Sequence, residues 1–262
     1  MKVKEITQYL ESIAPLHLQE NYDNSGLIVG HGDWEVNQAI VSLDATPEVI
    51  EEAIARGCEM VISHHPIVFS GLKKLNGNNY IERAVMMAVK NDIALYAIHT
   101  NLDNVLTGGV NQRIAEQIGL ENVHILKPKE ASEPQIGAGA VGDLGEAMPV
   151  ERFFSMLKSR MKTDTIRHTK WVHETVSKVA ICGGSGSFLL EEAKRSGAEV
   201  FITGDYKYHQ FFDADGEIII ADIGHFESEQ FTIDLLCEQV NNNFSNFAAH
   251  CTKVITNPIQ YF

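Results

Sequence analysis

The sequence lacks the features that mark membrane-spanning, disulfide-rich and general nucleic-acid-binding proteins. No apolar run approaches the roughly 20 residues that a membrane-spanning helix needs, and the start of the chain has no apolar signal core. The four cysteines form no CxxC pair and no zinc-finger spacing, and Cys58 and Cys182 lie beside apolar segments, so we expect core packing. The sequence has only 21 lysines and arginines but 35 aspartates and glutamates, and the resulting formal charge of −14 disfavours nucleic acid as a partner. We therefore predict a cytoplasmic protein with no membrane partner.

One sequence unit occurs twice, with a constant offset of 140 residues. Residues 51–65 read EEAIARGCEMVISHH and residues 191–205 read EEAKRSGAEVFITGD. An apolar, strand-like run precedes each copy. Gly57 and Gly197 suit the left-handed residue that follows the end of a helix, and a short, nearly all-apolar strand comes next. The repeated unit is therefore strand, helix, glycine and strand.

The alternation of helices and strands continues along the chain. It predicts helices near 5–13, 79–90, 108–118, 149–161, 187–196, 206–213 and 227–241, and strands near 38–43, 60–63, 93–99, 136–142, 179–182, 200–203, 217–223 and 253–256. We expect an α/β fold of two related lobes from the internal repeat, with layered helices around mainly parallel or mixed sheets. Residues 124–136 have the weakest pattern and are expected to join lobe one, about 1–128, to lobe two, about 129–262.

Three clusters of metal-type side chains each follow an apolar strand. They are Ser63-His64-His65-Pro66, His99 with Asp103, and His225 with Glu229. Because adjacent residues of a strand point to opposite faces, two neighbouring ions could each take one histidine of the His64-His65 pair. His225 and Glu229 are four residues apart, so they share one face of a helix. Glu227, between them, is expected to face solvent.

Each cluster alone has an ordinary structural interpretation. The paired histidines could be hydrogen-bonded at a strand end, Asp103 could cap a helix, and the pair at 225 and 229 could lie on the surface. The shared position favours function, since useful residues in α/β proteins collect where strands end. Three imidazoles and two carboxylates suit two divalent ions with one bridging carboxylate. We therefore predict a two-metal centre built from His64, His65, Asp103, His225 and Glu229.

The second copy of the repeat has Gly204-Asp205 where the first has the histidine pair. Asp205 or the nearby His209 could handle protons or substrate, or could simply cap a helix and fill a half-buried position. His99 and His209 are the candidate catalytic residues for proton transfer. The run Cys182-Gly183-Gly184-Ser185-Gly186-Ser187 lies between a strand and a helix, where a tight turn is the simpler interpretation and an anion pocket the alternative.

Taken together, these motifs resemble the Nif-three-like family of GTP cyclohydrolase I type 2 homologues. The resemblance runs nearly end to end and includes Asp23–Gly30, Ser63–Pro66, His99–Asp103, Gly183–Gly186, Thr203–Asp205 with His209, and Gly224-His225 with Glu229. It implies a two-lobe α/β fold with a dinuclear metal site between the lobes and a ring-shaped homohexamer. By position, it implies that one ion binds His64, Asp103 and Glu229, and the other His65, His225 and Glu229. The resemblance implies zinc, iron, manganese or magnesium.

The leading functional hypothesis is metal-dependent hydrolysis of a small molecule, either a nucleotide or another phosphoester-like compound. Two ions would lower the pKa of a bound water and stabilise charge at the attacked centre. The alternative is a non-catalytic, metal-binding regulatory or scaffold ring protein. A catalytic metal keeps an open position, whereas a structural metal is closed by protein ligands. Five ligands shared by two ions leave positions open, which favours the enzyme.

Overall fold

The computed structural model describes residues 1–262, which divide into two compact units. The first unit comprises Met1–Leu102 with Thr232–Pro258, and the second comprises Asp103–Phe231 with Ile259–Phe262. The expected lobe junction at 124–136 lies within the second of these units, where Leu120–Pro128 is a paired strand rather than a linker. No helix combines the length and apolarity needed to cross a membrane.

Helices and strands alternate along the chain. The helices are α1 (Val3–Ile13), α2 (Pro47–Arg56), α3 (Tyr80–Lys90), α4 (Thr100–Asp103), α5 (Val110–Ile118), α6 (Val150–Arg160), α7 (Leu190–Arg195), α8 (His225–Glu229) and α9 (Thr232–Asn243). The strands are β1 (Gly26–Val29), β2 (Gln38–Ser42), β3 (Met60–Ser63), β4 (Ala94–Ala97), β5 (Leu120–Pro128), β6 (Gly137–Pro149), β7 (Arg167–His168), β8 (Thr175–Ser185), β9 (Val200–Gly204), β10 (Ile219–Asp222) and β11 (Ala248–Cys251). Short 3-10 helices occupy Leu16–Leu18, Ser187–Leu189 and Tyr208–Ala214.

The first unit contains a five-stranded sheet in the order β1-β4-β3-β2-β11. All neighbouring pairs are parallel except β1 with β4. Every residue of β3 and β4 is buried, which explains why their sequences are apolar throughout instead of alternating. Ile40, Val61 and Leu95 from three adjacent strands pack in one core cluster with apolar residues of α2 and α3. The helices therefore cover a sheet that is parallel at its centre.

The second unit contains a six-stranded mixed sheet in the order β5-β6-β8-β9-β10-β7. The central strands β8, β9 and β10 are parallel, and the outer pairings are antiparallel. Ala180, Phe201 and Ile220 from the parallel strands form a core with Leu190 and Ala193 of α7. Both units thus confirm the predicted α/β fold with layered helices and mixed sheets.

The two copies of the repeat have the same local structure. In the first copy Ala39 of β2 is paired with Met60 of β3, and in the second Val179 of β8 is paired with Val200 of β9, each 140 residues further on. Gly57 follows α2 with a φ of +67°, and the equivalent Gly197 has a φ of +77°, which only glycine adopts without strain.

The same polar contact occurs in both copies of the repeat. Glu59 accepts hydrogen bonds from the backbone amides at 37 and 38, and Glu199 accepts from the equivalent amides at 177 and 178. Each carboxylate therefore ties the start of one parallel strand to the neighbouring strand. The repeat predicted from sequence is present down to individual hydrogen bonds.

Three predicted elements differ from the structure. The strand expected near 253–256 is absent, because β11 ends at Cys251 and the following residues bond to side chains instead, as Lys253 N does to Glu52. The single helix expected over 227–241 is two helices, α8 and α9. The helix expected over 206–213 is the 3-10 helix at 208–214. Strands β1, β5, β7 and β11 were not predicted.

Candidate functional site

Three histidines of the first unit lie together at the carboxyl ends of two parallel strands. His64 and His65 directly follow β3, and His99 follows β4, which pairs with β3 through Ser63 and Ala97. The ring centroids of His64 and His65 are 4.9 Å apart, and those two rings lie 5.3 and 5.2 Å from the His99 ring. Each ring offers a nitrogen within 4.8 Å of the others, so the trio could hold a metal ion.

Each of these rings is oriented by an oxygen atom at its Nδ1. His64 Nδ1 is 2.8 Å from the carbonyl oxygen of Ile98, and His65 Nδ1 is 2.8 Å from Asp44 Oδ1. Because a carbonyl can only accept, the proton of a neutral His64 lies on Nδ1 and the lone pair on Nε2. Hydrogen bonding of one ring nitrogen to a carbonyl or carboxylate is the arrangement usual for a histidine that binds metal through the other nitrogen.

Asp23 orients the ring of His99, the third histidine of the group. Its buried side chain accepts from His99 Nδ1 at 2.8 Å, from Thr100 N at 3.0 Å and from Asn24 N at 2.7 Å. Burial alone would raise the pKa of Asp23, but the hydrogen bonds from His99 and Thr100 outweigh it and hold the pKa well below its usual range. Asp23 is therefore an ionised carboxylate that orients His99.

The second unit carries the histidine and carboxylates of the other predicted clusters. His225 and Glu229 occupy the two ends of the five-residue helix α8, and His225 Nε2 is 3.1 Å from Glu229 Oε2. Glu229 is 3% exposed. It offers a carboxylate oxygen within 4.8 Å of a ligand atom of His225 and of one of Asp103. This central position among the three side chains suits a carboxylate that bridges ions.

The electrostatics around His225 favour a cation. Burial would lower the pKa of His225, but the negative charge of Glu229 and the hydrogen bond to Asp205, at 2.8 Å from Nδ1, raise it to about 11. Two carboxylates therefore stabilise positive charge at this ring. The same negative charge would stabilise a metal ion bound there.

The glycine-rich turn that ends β8 connects these acidic residues. Gly183 N donates to Asn111 Oδ1 at 3.1 Å, and Asn111 Nδ2 donates to the carbonyl oxygen of Asp103 at 3.1 Å. Gly184 N donates to Ser228 Oγ, in α8, at 2.9 Å. These amides already donate to protein oxygens, which supports the tight structural turn over the anion pocket.

Gly184 cannot carry a side chain without displacing the candidate ligands Glu229 and His225. Its φ is +61°, and a Cβ there would lie 2.5 Å from Glu229 Oε1 and 3.2 Å from His225 Cε1. The absence of a side chain at this position therefore lets the backbone approach the two candidate ligands closely.

In the second copy of the repeat, the residues that replace the histidine pair support the candidate ligand His225. Gly204 and Asp205 occupy the positions equivalent to His64 and His65. A Cβ on Gly204 would lie 2.8 Å from the His225 backbone nitrogen, so glycine is needed for close packing. Asp205 has a left-handed φ of +60° and orients the His225 ring. Strained backbone of this kind is often found at functional sites.

Two residues singled out from the sequence lie apart from these contacts. His209 is exposed on the 3-10 helix, and its ring lies 5.1 Å from Tyr208 and 6.3 Å from Phe212; its catalytic role stays a prediction. Glu227 does not face solvent as expected, since it is only 7% exposed. Its carboxylate lies against Gly224, whose missing side chain leaves room for it.

Sequence reasoning missed the residues that orient the candidate ligands. Asp44 follows β2, and the rule that selected the residues after β3 and β4 would have found it if applied to this third parallel strand. Asn111 and Ser228 lie inside helices and carry no spacing signal. Only the folded chain brings them to Gly183 and Gly184.

Comparison with known proteins gives consistent matches over nearly the whole chain. Residues 1–258 match the family described as Duf34/NIF3 (NGG1p interacting factor 3). The chain is 35% identical to a protein of Clostridium perfringens over 94% of each chain, and 33% identical to one of Clostridium acetobutylicum over 87% of this chain and 85% of the other. Both are named GTP cyclohydrolase 1 type 2 homolog.

Solved structures show the same fold. A Bacillus cereus protein related to NIF3 has a TM-score of 0.94 and 25% identity, with 100% of this chain and 99% of that chain covered. A Staphylococcus aureus protein has a TM-score of 0.93 and 30% identity with the same coverage.

Proposed function

This chain belongs to the Duf34/NIF3 family, and from that premise we propose that it is a metal-dependent hydrolase of a nucleotide or another phosphoester-like small molecule. One divalent ion would bind His64, Asp103 and Glu229, and a second would bind His65, His225 and the shared Glu229. The names of the relatives make GTP the first substrate to test.

The observation that carries the proposal is the chemistry of the donor set. The histidines of the set each have Nδ1 beside an oxygen, which is a backbone carbonyl for His64 and a carboxylate for His65 and His225. Such contacts fix the ring and raise its basicity as a ligand through Nε2. Glu229 lies within reach of both Asp103 and His225 in the second unit, as a bridging carboxylate requires. Mixed imidazole and carboxylate donors suit zinc, iron and manganese.

The chemistry divides between the ions and the protein. Two bound ions would supply activated water at neutral pH and stabilise charge on a phosphoryl or purine centre. His99, oriented by the ionised Asp23, can accept or donate a proton at Nε2. His209 is the second candidate for proton transfer. Ring-shaped hexamer assembly and a cytoplasmic location complete the proposal.

The experiment combines metal analysis with matched variants. Protein purified without a tag is analysed for zinc, iron, manganese and magnesium, and we expect two ions per chain. The double variant His64→Ala, Glu229→Ala should lose bound metal and hydrolysis of GTP and of phosphoester substrates. The control is the double variant His124→Ala, Glu146→Ala, in which both replaced side chains are exposed.

Two outcomes would contradict the proposed activity. Hydrolysis that is unchanged in the His64→Ala, Glu229→Ala variant would show that the reaction does not need these ligands. Two bound ions without turnover of any tested substrate would favour the non-catalytic regulatory or scaffold protein. Light scattering of the wild-type protein tests the hexamer separately.

A further inference from the structure

Two cysteines of the first unit lie unusually close together. Cys237 is in α9 and Cys251 is the last residue of β11, and their sulfur atoms are 2.8 Å apart. Even the smaller carbon atoms approach only to about 3.5–4.0 Å when they are not bonded. The pair is therefore already close to the separation at which two sulfurs bond.

The packing of α9 against β11 fixes this approach. Asn241 Nδ2 donates to the carbonyl oxygen of Ala249, and Ala249 N donates to Asn241 Oδ1, both at 2.9 Å. Asn241 is one helical turn after Cys237, and Ala249 is two strand residues before Cys251. Because residues four apart share a helix face and residues two apart share a strand face, the reciprocal bonds align the two cysteines.

The other two cysteines provide an internal contrast. Cys58 and Cys182 are buried in the separate hydrophobic cores of the first and second units. Cys237 is 6% exposed, whereas Cys251 is only partly buried and can be reached by a small oxidant. One member of the close pair is thus accessible and the other is shielded.

We propose that Cys237 and Cys251 are a reversible disulfide site that is oxidised by peroxide. The Cys251 thiolate displaces hydroxide from hydrogen peroxide and becomes a sulfenic acid. Cys237 sulfur then attacks Cys251 sulfur, the S–OH bond breaks, and the hydroxyl leaves as water with the Cys237 proton. The two sulfurs lose two electrons in total, and the peroxide is reduced to two water molecules. Burial raises the pKa of both thiols, so the reaction is slow.

The cross-link would fix the start of a segment that supports a candidate metal ligand. Directly after Cys251, the Thr252 hydroxyl donates to Glu52. Further on, Thr256 donates to Asp44 at 2.6 Å, and Asp44 in turn orients His65. The disulfide would close a short loop, so the melting temperature should rise by about 5–10 °C on oxidation.

The test uses the whole protein, reduced and then exposed to hydrogen peroxide before alkylation and digestion with trypsin. Residues 208–253 contain no internal lysine or arginine, so both cysteines fall in one peptide. We expect the mass of this peptide to fall by two hydrogens and the peptide to take up no alkyl group. After treatment with a dithiol, both cysteines should again react with the alkylating reagent. Cys251→Ser should abolish both the loss of two hydrogens from the peptide and the rise in melting temperature, while the control Cys58→Ser should retain both. Two cysteines that stay alkylatable, or a Cys251 oxidised to sulfinic acid without a cross-link, would overturn the proposal.

Discussion

Replacing Gly184 by alanine tests whether the glycine-rich turn sets the position of the candidate metal ligands. The added Cβ would lie 2.5 Å from Glu229 Oε1, whereas ordinary contacts begin at 3.4 Å, so the oxygen must move by about 0.9 Å. Metal–ligand distances tolerate deviations of about 0.2 Å. Loss of a group that orients a ligand commonly weakens metal binding by about 10–100-fold, and we expect a loss of this size in Gly184→Ala.

Gly197 offers a matched control for the backbone effect. Its φ of +77° is also left-handed, but nothing lies within 4 Å of a Cβ placed there. A left-handed alanine costs roughly 1–2 kcal/mol, so both variants should lose about that much stability. Only Gly184→Ala should lose metal affinity as well.

Competition between the metal-free proteins and a chelator measures the affinity, and urea unfolding measures the stability. Equal metal affinities for Gly184→Ala and Gly197→Ala would refute the reasoning, because the steric displacement of Glu229 would then have no effect on binding. A Gly184→Ala protein that is no less stable than wild type would show that the turn relaxes without strain.

Three further predictions concern electrostatics and the repeat. The pKa of His225 is raised in the folded state, so its positive charge stabilises the metal-free protein fully below pH 6.5, and this stability is lost as the pH rises through about 11. The urea midpoints of wild type and His225→Gln should therefore converge over that pH range. A difference between the midpoints that stays constant with pH would contradict this prediction. Asp205→Asn should lower the pKa of His225, which an NMR titration measures, and an unchanged pKa would show that the 2.8 Å contact has no electrostatic effect. Glu59→Ala and Glu199→Ala should each lower the free energy of unfolding by about 1–3 kcal/mol, because they remove equivalent hydrogen bonds. Clearly unequal losses in urea unfolding would show that the two copies differ energetically.

The central strands and the repeat could be predicted because their signals are local. β2, β3, β8 and β9 are apolar runs that end at turns, and the glycines at 57 and 197 mark the helix ends between them. The three clusters of metal-type residues were visible because each comes directly after such a strand. Local pattern therefore predicts the scaffold and the side chains that the scaffold presents.

The remaining elements depend on tertiary contacts that leave little trace in sequence. β5 is an edge strand of mixed exposure, and β7 has only two residues, both exposed. Residues 253–256 resemble a strand, but hydrogen bonds to Glu52 and Asp44 hold this segment outside the sheet. No glycine or proline marks the break between α8 and α9, so the sequence resembles one helix.

The order of the two units along the chain has a consequence for biosynthesis. β11 completes the first sheet by pairing with β2, yet it is translated more than a hundred residues after the other strands of that sheet. The main segment of the second unit is continuous, from Asp103 to Phe231. Although domains generally fold from the amino terminus during synthesis, the first unit must wait for its last strand, so the β2 edge of its sheet stays uncovered until the ribosome has passed the whole 103–231 segment.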